Sequence, residues 1–240
     1  MNQQALKTVV VTGGTSGIGK AAAIVLAASG YRVVAAGLFD REIEECGNDA
    51  SMAGIELVKL DVCDEAQVKE FFSGLDVLHA LVNCAGVGRS GDEFASAGFS
   101  RTLEINLHGT MHCCYAAKDL LAAQGGAIVN IGSLMSLFGS ATAPAYAASK
   151  GAVLQFTKSL AAAWAADGIR ANVIAPGWIA TRMTEGIQHE DAIMQKVKRA
   201  PMGRWGQPED IANGIDFLLS EKASFITGVI LPIDGGYSAV

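Results

Sequence analysis

Residues 8–29 read TVVVTGGTSGIGKAAAIVLAAS, and this stretch decides the fold. Its first four residues are β-branched and almost entirely apolar, which is typical of a strand covered on both faces. Glycines at positions 13, 17 and 19 follow, and the alanine-rich remainder predicts a helix. In a strand–turn–helix unit, the N–H groups and positive dipole end of the helix accept a pyrophosphate, and glycines let the backbone approach closely. The stretch therefore predicts a dinucleotide site within an α/β fold.

A second nucleotide motif competes with this interpretation. Gly14 to Lys20 spells GxxxxGK, which is one residue short of a P-loop. In a P-loop the next residue is a Ser or Thr whose hydroxyl binds magnesium. Here that residue is Ala21, so the dinucleotide turn is favoured over a nucleoside-triphosphate site.

Strand and helix patterns alternate along the whole chain. Strands are predicted at residues 8–11, 31–36, 55–60, 77–82, 128–131, 169–175 and 229–231. This alternation predicts an α/β fold, namely a single doubly wound Rossmann-type domain with a seven-stranded parallel sheet and helices on both faces. No repeat or linker divides residues 1–240, so we expect one dinucleotide-binding and catalytic domain. Residues 178–204 interrupt the alternation and are expected to form a substrate-lid insertion, with an ordinary pair of surface helices as the alternative.

The charge and cysteine content exclude several classes of partner. The net charge of −6 and the lack of a basic run argue against nucleic acid and an anionic membrane surface. No apolar run reaches the ~20 residues needed to span a bilayer. The N-terminus lacks a signal-peptide pattern, and the five cysteines show no CxxC spacing. We therefore expect a cytoplasmic protein with reduced thiols.

A possible metal site is weak. His108 and His112 stand four residues apart, beside Cys113 and Cys114. No third and fourth ligand follows at the spacing of a zinc site, and the segment is otherwise an apolar helix. We predict that the chain holds no metal.

Residues 128–159 carry the strongest chemical signal. Ser133 follows a predicted strand, and Tyr146 and Lys150 lie on the next helix. Residues four apart share a helix face, and a nearby ammonium favours the phenolate. Tyr146 is therefore a candidate acid/base near neutral pH, and Ser133 could hold a substrate oxygen beside it.

Polar residues at other strand ends point to the same crevice. Asp61 follows the third strand and Asn83 the fourth, where open parallel sheets bind ligands. Asn106 lies within a predicted helix among apolar neighbours. The second strand ends at Gly37, where a dinucleotide fold usually places an acid for the ribose or a base for a 2′-phosphate; Asp40 lies close to the expected spacing.

Together these motifs resemble the short-chain dehydrogenase/reductase family, including its 3-oxoacyl-reductase-like and small-alcohol dehydrogenase members. The resemblance runs from about Lys7 to Tyr237. It rests on TGGTSGIG at 12–19, LDV at 60–62, NCAG at 83–86, IN at 105–106, Ser133, YxxxK at 146–150, PG at 176–177, PMGRWGQPEDIA at 201–212 and DGG at 234–236.

The resemblance implies a role for each matching residue. Tyr146 would be the general acid/base, Lys150 would bind the nicotinamide ribose and depress the tyrosine pKa, and Ser133 would orient the substrate oxygen. Asn106 would complete the catalytic set by holding a water for proton relay. The residues expected to contact cofactor are Gly13, Ser16, Gly17, Ile18, Gly19, Gly37, Leu38, Asp61, Val62, Asn83, Ala85, Gly86, Tyr146, Lys150, Pro176, Gly177, Ile179 and Thr181. Those expected to contact substrate are Ser133, Met135, Tyr146 and Trp178.

The family's chemistry is hydride transfer between a nicotinamide and a secondary alcohol or ketone of a small molecule. Gly37 stands where NAD-using members usually have Asp, and Ser16 and Leu38 lack the basic side chains of NADP-using members. NAD is favoured over NADP because nothing nearby offers a cation to a 2′-phosphate. The resemblance also implies a homotetramer.

Two other functions remain as alternatives. One is an NADPH-dependent 3-oxoacyl-acyl-carrier-protein reductase, which would need a basic patch near the cleft for the acidic carrier; only Arg89, Arg101 and scattered lysines of residues 178–204 are present for it. Arg89 could instead anchor a substrate carboxylate. The other is a catalytically inactive nucleotide-sensing module, which the presence of all four catalytic residues disfavours.

Overall fold

The computed structural model describes residues 6–88 and 91–240, and within them one sheet contains seven strands. The strands are β1 (Thr8–Thr12), β2 (Arg32–Gly37), β3 (Glu56–Lys59), β4 (Ala80–Asn83), β5 (Ala127–Ile131), β6 (Arg170–Pro176) and β7 (Ile230–Ile233). Their order is β3-β2-β1-β4-β5-β6-β7, and each adjacent pair is parallel. The predicted doubly wound, Rossmann-type sheet is confirmed.

Helices cover both faces of the sheet. They are α1 (Gly17–Ala28), α2 (Asp40–Gly47), α3 (Glu65–Ser73), α4 (Ser96–Leu103), α5 (Gly109–Ala122), α6 (Pro144–Trp164), α7 (Asp191–Arg199) and α8 (Pro208–Leu219). In β1, Val9 and Val11 point into the core shared with α1 and α8. Val10 points into the opposite core, which α3, α5 and α6 complete. This alternation on a fully buried strand explains the uninterrupted β-branched run.

The sheet order places a crevice at the carboxyl end of β1. Thr12 pairs with Ala36 of β2 on one side and with Asn83 of β4 on the other. After β1, the chain adds β2 and β3 on one side of that strand and then β4 to β7 on the other side. Open α/β sheets bind ligands at the point where the strand order reverses in this way.

The predicted helix that contains Asn106 is interrupted. A single π-helical turn, Glu104–His108, joins α4 to α5. Asn106 lies in this turn and is fully buried. π-Turns inside helices frequently occur at functional sites.

The segment 178–204, here called the lid segment, follows β6 and includes α7. Its start is fixed to the next segment by two backbone hydrogen bonds. Gly206 N donates to Trp178 O at 2.8 Å, and Ala180 N donates to Gly206 O at 2.9 Å. Across the described ranges, no helix combines the length and apolarity that crossing a membrane requires.

Candidate active site

Tyr146 and Lys150 both lie near the start of α6, on one face of the helix. The Lys150 Nζ is 5.9 Å from the centre of the Tyr146 ring. Lys150 is almost fully buried, and its Nζ donates a 2.7 Å hydrogen bond to the Ile131 carbonyl at the end of β5. The ammonium is therefore held in one position between the sheet and the phenol.

Ser133 is oriented by the short turn that follows β5. Its Oγ accepts a hydrogen bond from Met135 N at 3.1 Å. Ser136 Oγ accepts one from Ser133 N at 3.1 Å and donates another to the Lys150 carbonyl at 2.8 Å. Ser136 thus ties the serine turn to the helix that carries the tyrosine and lysine.

Asn106 fixes the loop after β4. Its Oδ1 accepts from Val87 N at 2.8 Å, and its Nδ2 donates to Val87 O and to Ser149 Oγ, each at 3.0 Å. The side chain therefore joins this loop to α6, one residue from Lys150. Its predicted part in a proton relay stays a prediction.

The electrostatics differ from the expectation that Lys150 lowers the tyrosine pKa. Burial raises the pKa of the Tyr146 phenol above its ordinary value, and the neighbouring Ser133 hydroxyl acts in the opposite direction. Burial also lowers the pKa of Lys150 to about 8. Burial penalises both charged forms, so the pKa of Tyr146 lies above its ordinary value in this arrangement and not below it as predicted.

One groove of about 660 Å³ joins the glycine turn to these side chains. Its wall includes most of the predicted site residues. They are Gly13, Ser16, Gly17, Ile18, Gly19, Gly37, Leu38, Asp61, Val62, Ala85, Gly86, Ser133, Tyr146, Lys150, Pro176, Gly177, Ile179 and Thr181.

The glycine turn forms a backbone cradle with no room for side chains. A Cβ on Gly13 would meet Ala85 N at 2.7 Å, and one on Gly19 would overlap the Gly13 carbonyl. Gly17 has a φ of +51° and begins α1. The N-cap residue Ser16 makes no side-chain capping bond, so the first N–H groups of α1 remain available to an anion. These features fit the pyrophosphate of a dinucleotide.

Asn83 contributes to the interior of the sheet rather than to the groove wall. Its Nδ2 donates to Asn130 Oδ1 at 2.8 Å, and Asn130 Nδ2 donates to Thr157 Oγ1 at 2.8 Å. Thr12 Oγ1 donates to Asn83 Oδ1 at 3.4 Å. The Asn83 amide is thus used in this buried network, and the expected contact of Asn83 with the cofactor ribose stays a prediction.

Trp178 and Met135 also lie outside the groove wall. Trp178 packs edge-on against Trp205, with 5.9 Å between ring centres, and lines a separate cavity of about 160 Å³. Trp178 is therefore not part of the groove wall that contains Ser133, and its predicted substrate contact stays a prediction. Met135 lies in the short turn Leu134–Ser136, whose N-cap residue is Ser133. Its backbone N–H donates to Ser133 Oγ.

Two charged residues of the groove wall, Glu42 and Arg182, were not predicted from the sequence. Glu42, on α2, accepts a 3.0 Å hydrogen bond from Thr15 Oγ1, and Arg182 of the lid segment pairs with it at 2.7 Å. Glu42 lies five positions past Gly37, beyond the usual place of a ribose-binding acid, so no motif marks it. Arg89, considered for carboxylate binding, lies outside the described residues.

The histidine and cysteine cluster has other roles. His112 Nδ1 is 3.0 Å from the Val62 carbonyl. Cys113 and Cys114 lie on α5 and are buried in the core. Within residues 6–88 and 91–240, no three His, Cys, Asp or Glu side chains come together as metal ligands.

The chain is similar to a large set of known proteins. The family model described as Enoyl-(Acyl carrier protein) reductase matches residues 13–238. Cis-4-hydroxycyclohexanecarboxylate dehydrogenase of Sinomonas cyclohexanicum is 38% identical, over 98% of this chain and 97% of that protein. The 3-oxoacyl-[acyl-carrier-protein] reductase of Rattus norvegicus is 37% identical, over 96% of this chain and 97% of the relative.

A solved structure agrees over nearly the whole length. It is that of a putative 2-deoxy-D-gluconate 3-dehydrogenase from Agrobacterium tumefaciens with bound NADP. It is 37% identical, covers 98% of this chain and 97% of its own, and superimposes with a TM-score of 0.86.

Proposed function

The chain belongs to the short-chain dehydrogenase/reductase family of oxidoreductases acting on CH–OH groups, and from this we propose that Tyr146 is its general acid/base. The substrate is a small molecule with a secondary alcohol or ketone. The observation that supports this role is the convergence of Ser133, Tyr146 and Lys150 at one end of a groove whose other end is the glycine cradle.

Tyr146, Ser133 and Lys150 each have a different part in the proton transfer. With its pKa raised by burial, Tyr146 is protonated at neutral pH and suited to donate a proton to a carbonyl oxygen during reduction. Ser133 holds the same oxygen by a hydrogen bond. Lys150, fixed by the Ile131 carbonyl, supplies a positive charge when the phenolate forms. A bound nicotinamide cofactor supplies or accepts the hydride.

The groove offers a place for each part of that cofactor. The N–H groups at the start of α1 would hold the pyrophosphate, and Asp61 and Val62 would flank the adenine. Lys150 would bind the nicotinamide ribose, with Thr181 near the carboxamide. The family binds NAD or NADP, and we propose a preference for NAD.

The acidic wall near β2 supports that preference. Glu42 presents its carboxylate beside Thr15, close to the end of β2, and Arg182 is already paired with Glu42 and Glu45. A carboxylate accepts hydrogen bonds from a ribose diol and repels a 2′-phosphate. Glu42 therefore takes the part that Asp takes at the Gly37 position in other NAD-using members.

We further propose that the lid segment closes over the substrate. Met183, in this segment, lines the groove and is more than half exposed. Its sulfur faces Gly88 in the loop after β4, where a Cβ would lie 3.1 Å from it. An apolar side chain at this place favours a substrate with hydrocarbon next to the reacting carbon.

An acyl-carrier-protein 3-oxoacyl reductase is the second candidate. The identity with the rat enzyme favours it, as does the basic last turn of α7 with Lys196, Lys198 and Arg199. Against it, Arg101 lies 2.8 Å from Glu104 and so offers less charge to an acidic carrier.

We propose a homotetramer in the cytoplasm. Phe225 and Phe217 are exposed near the C-terminus, and Tyr115 is exposed beside α6, so apolar surface is available for two kinds of subunit contact. All five cysteines are free thiols, as expected in a reducing compartment. Light scattering after size exclusion would measure the subunit number.

The function is tested by a turnover screen with NAD and NADP. The panel contains cyclic hydroxy acids, sugar alcohols, simple secondary alcohols and a 3-oxoacyl carrier protein. Turnover of a small alcohol that Tyr146→Phe abolishes supports the proposal. Turnover of the acyl carrier substrate alone, with NADPH, supports the second candidate. NADH binding without any turnover would revive the nucleotide-sensing alternative.

A further inference from the structure

Glu93 is a buried carboxylate that the proposed chemistry leaves without a role. It lies between β4 and α4, and only 1% of it is exposed. Its Oε2 accepts a 3.2 Å hydrogen bond from the backbone N–H of Tyr146. Its Oε1 is buried and has no hydrogen-bond partner in the described part of the chain.

Burying a carboxylate with one unsatisfied oxygen is costly. A neutral amide would accept the same hydrogen bond with a smaller desolvation cost. The chain nevertheless carries a carboxyl group here, and its hydrogen bond in the described part of the chain is with the backbone of the candidate acid/base.

The hydrogen bond caps the helix that carries Tyr146 and Lys150. α6 begins with Pro144, and its N-cap residue Ala143 offers no side-chain acceptor. The first N–H groups of a helix lack partners within the helix, and negative charge is favourable there. Glu93 supplies both the missing acceptor and the charge, from 53 residues earlier in the chain.

We propose that Glu93 is a positioning residue that fixes the first turn of α6 and thereby holds the Tyr146 phenol in place beside Ser133. The assignment rests on the proposed role of Tyr146. Glu93 is too deeply buried to contact substrate in this structure, so it acts through the helix.

The carboxylate also influences the proton equilibrium of the phenol. Among the described residues, the charged groups facing Tyr146 are Lys150, on the same helix, and Glu93; Ser133, from the turn after β5, is neutral. The Glu93 charge raises the pKa of Tyr146 in the same direction as burial does. Removal of that charge should therefore lower the tyrosine pKa.

Two substitutions separate position from charge. Glu93→Gln keeps a hydrogen-bond acceptor for Tyr146 N–H and removes the charge, whereas Glu93→Ala removes both. Asp92→Asn is the matched control, because Asp92 is an exposed neighbour whose Oδ1 accepts from Phe94 N at 3.0 Å. Asn can keep that bond.

The first readout does not depend on turnover. The tyrosinate absorbance of each protein is titrated with pH, and the titration of the same protein carrying Tyr146→Phe is subtracted. We expect Glu93→Gln to lower the Tyr146 pKa and Asp92→Asn to leave it unchanged. Equal pKa values in Glu93→Gln and the parent protein would overturn the electrostatic part of the proposal, whether or not a substrate is known.

The second readout is turnover with a substrate found in the screen. We expect Glu93→Ala to lower kcat by up to about 100-fold, since a misplacement of 1 Å can cost that much. NADH affinity, measured by fluorescence, should be retained, and Glu93→Gln should keep most of the kcat. Unchanged kcat in a folded Glu93→Ala protein would overturn the positioning role.

If Glu93→Ala does not fold, loss of kcat in Glu93→Gln with an unchanged tyrosine pKa would overturn the proposal. Lack of turnover in the parent protein would instead count against the proposed function.

Discussion

Arg182 and Glu42 form an ion pair that links the lid segment to α2, with 2.7 Å between Arg182 Nη1 and Glu42 Oε1. A second bond of 3.2 Å joins Arg182 Nη2 to Glu45 Oε2. Both partners of the first pair line the groove. Partly exposed pairs of this kind add only ~0–1 kcal/mol to stability. Their position is more consequential, because we propose that the cofactor binds in this part of the groove.

Glu42→Ala should shift cofactor preference toward NADPH. The substitution removes a carboxylate that repels a 2′-phosphate and frees Arg182 to contact it. We expect the ratio of the NADPH to the NADH dissociation constant to fall by about tenfold or more, which corresponds to ~1.4 kcal/mol. Fluorescence titration measures both constants. Glu44→Ala, an exposed residue on the same helix, is the control, and an equal shift there would contradict the assignment.

Gly37→Asp is a poor route to a stronger NAD preference, although the sequence alone suggests it. A Cβ at Gly37 would overlap the Oγ1 and Cγ2 of Thr15. We expect the single substitution to lower the free energy of unfolding by ~1–3 kcal/mol, the usual cost of overpacking. Thr15→Ala removes both overlapping atoms, so the double substitution should recover part of the loss. Chemical denaturation of the three variants measures it, and a fully stable single variant would contradict the clash.

Tyr146→Phe should lower kcat by ~10²–10⁴-fold, the range attributed to general acid/base groups. The phenyl ring keeps the packing of α6, so NADH binding should survive. Tyr115→Phe is the matched control, since Tyr115 is exposed on α5 and lies outside the groove wall. Near-normal turnover in Tyr146→Phe would exclude the phenol as the proton donor.

The sequence predicted the sheet because each strand is marked by its own apolar run and turn. The groove also followed from glycines and polar residues at strand ends. The interruption of the helix at Asn106 did not, because the Asn106 side chain is held there by hydrogen bonds to Val87, 19 residues away. Glu42 and Glu93 were missed for the same reason. Their contacts with Thr15 and Tyr146 span 27 and 53 residues, and no local pattern records them.

Asn83 belongs to a motif for cofactor binding, but its side-chain amide is hydrogen-bonded inside the sheet. Asn83→Ala should lower the free energy of unfolding by ~1–3 kcal/mol, because it leaves Asn130 Oδ1 with only the weak thiol donor of Cys114 in place of its buried amide donor. NADH affinity should change little. Denaturation and fluorescence titration on the same sample separate the two effects, and a selective loss of NADH affinity at unchanged stability would restore the ligand role.

The burial of Lys150 should make stability depend on pH in a predictable direction. Its pKa is about 8 in the fold and near 10.5 when unfolded, so between these values the unfolded chain binds more protons. Stability contributed by this residue therefore rises with pH across that window, by up to ~1.4 kcal/mol per pH unit. The Lys150→Met protein has no titrating group at this position, so it serves as the reference for the pH dependence. The measurement is the free energy of unfolding of both proteins at several pH values from 7 to about 10. A constant difference between them would mean that Lys150 is not desolvated in the folded protein.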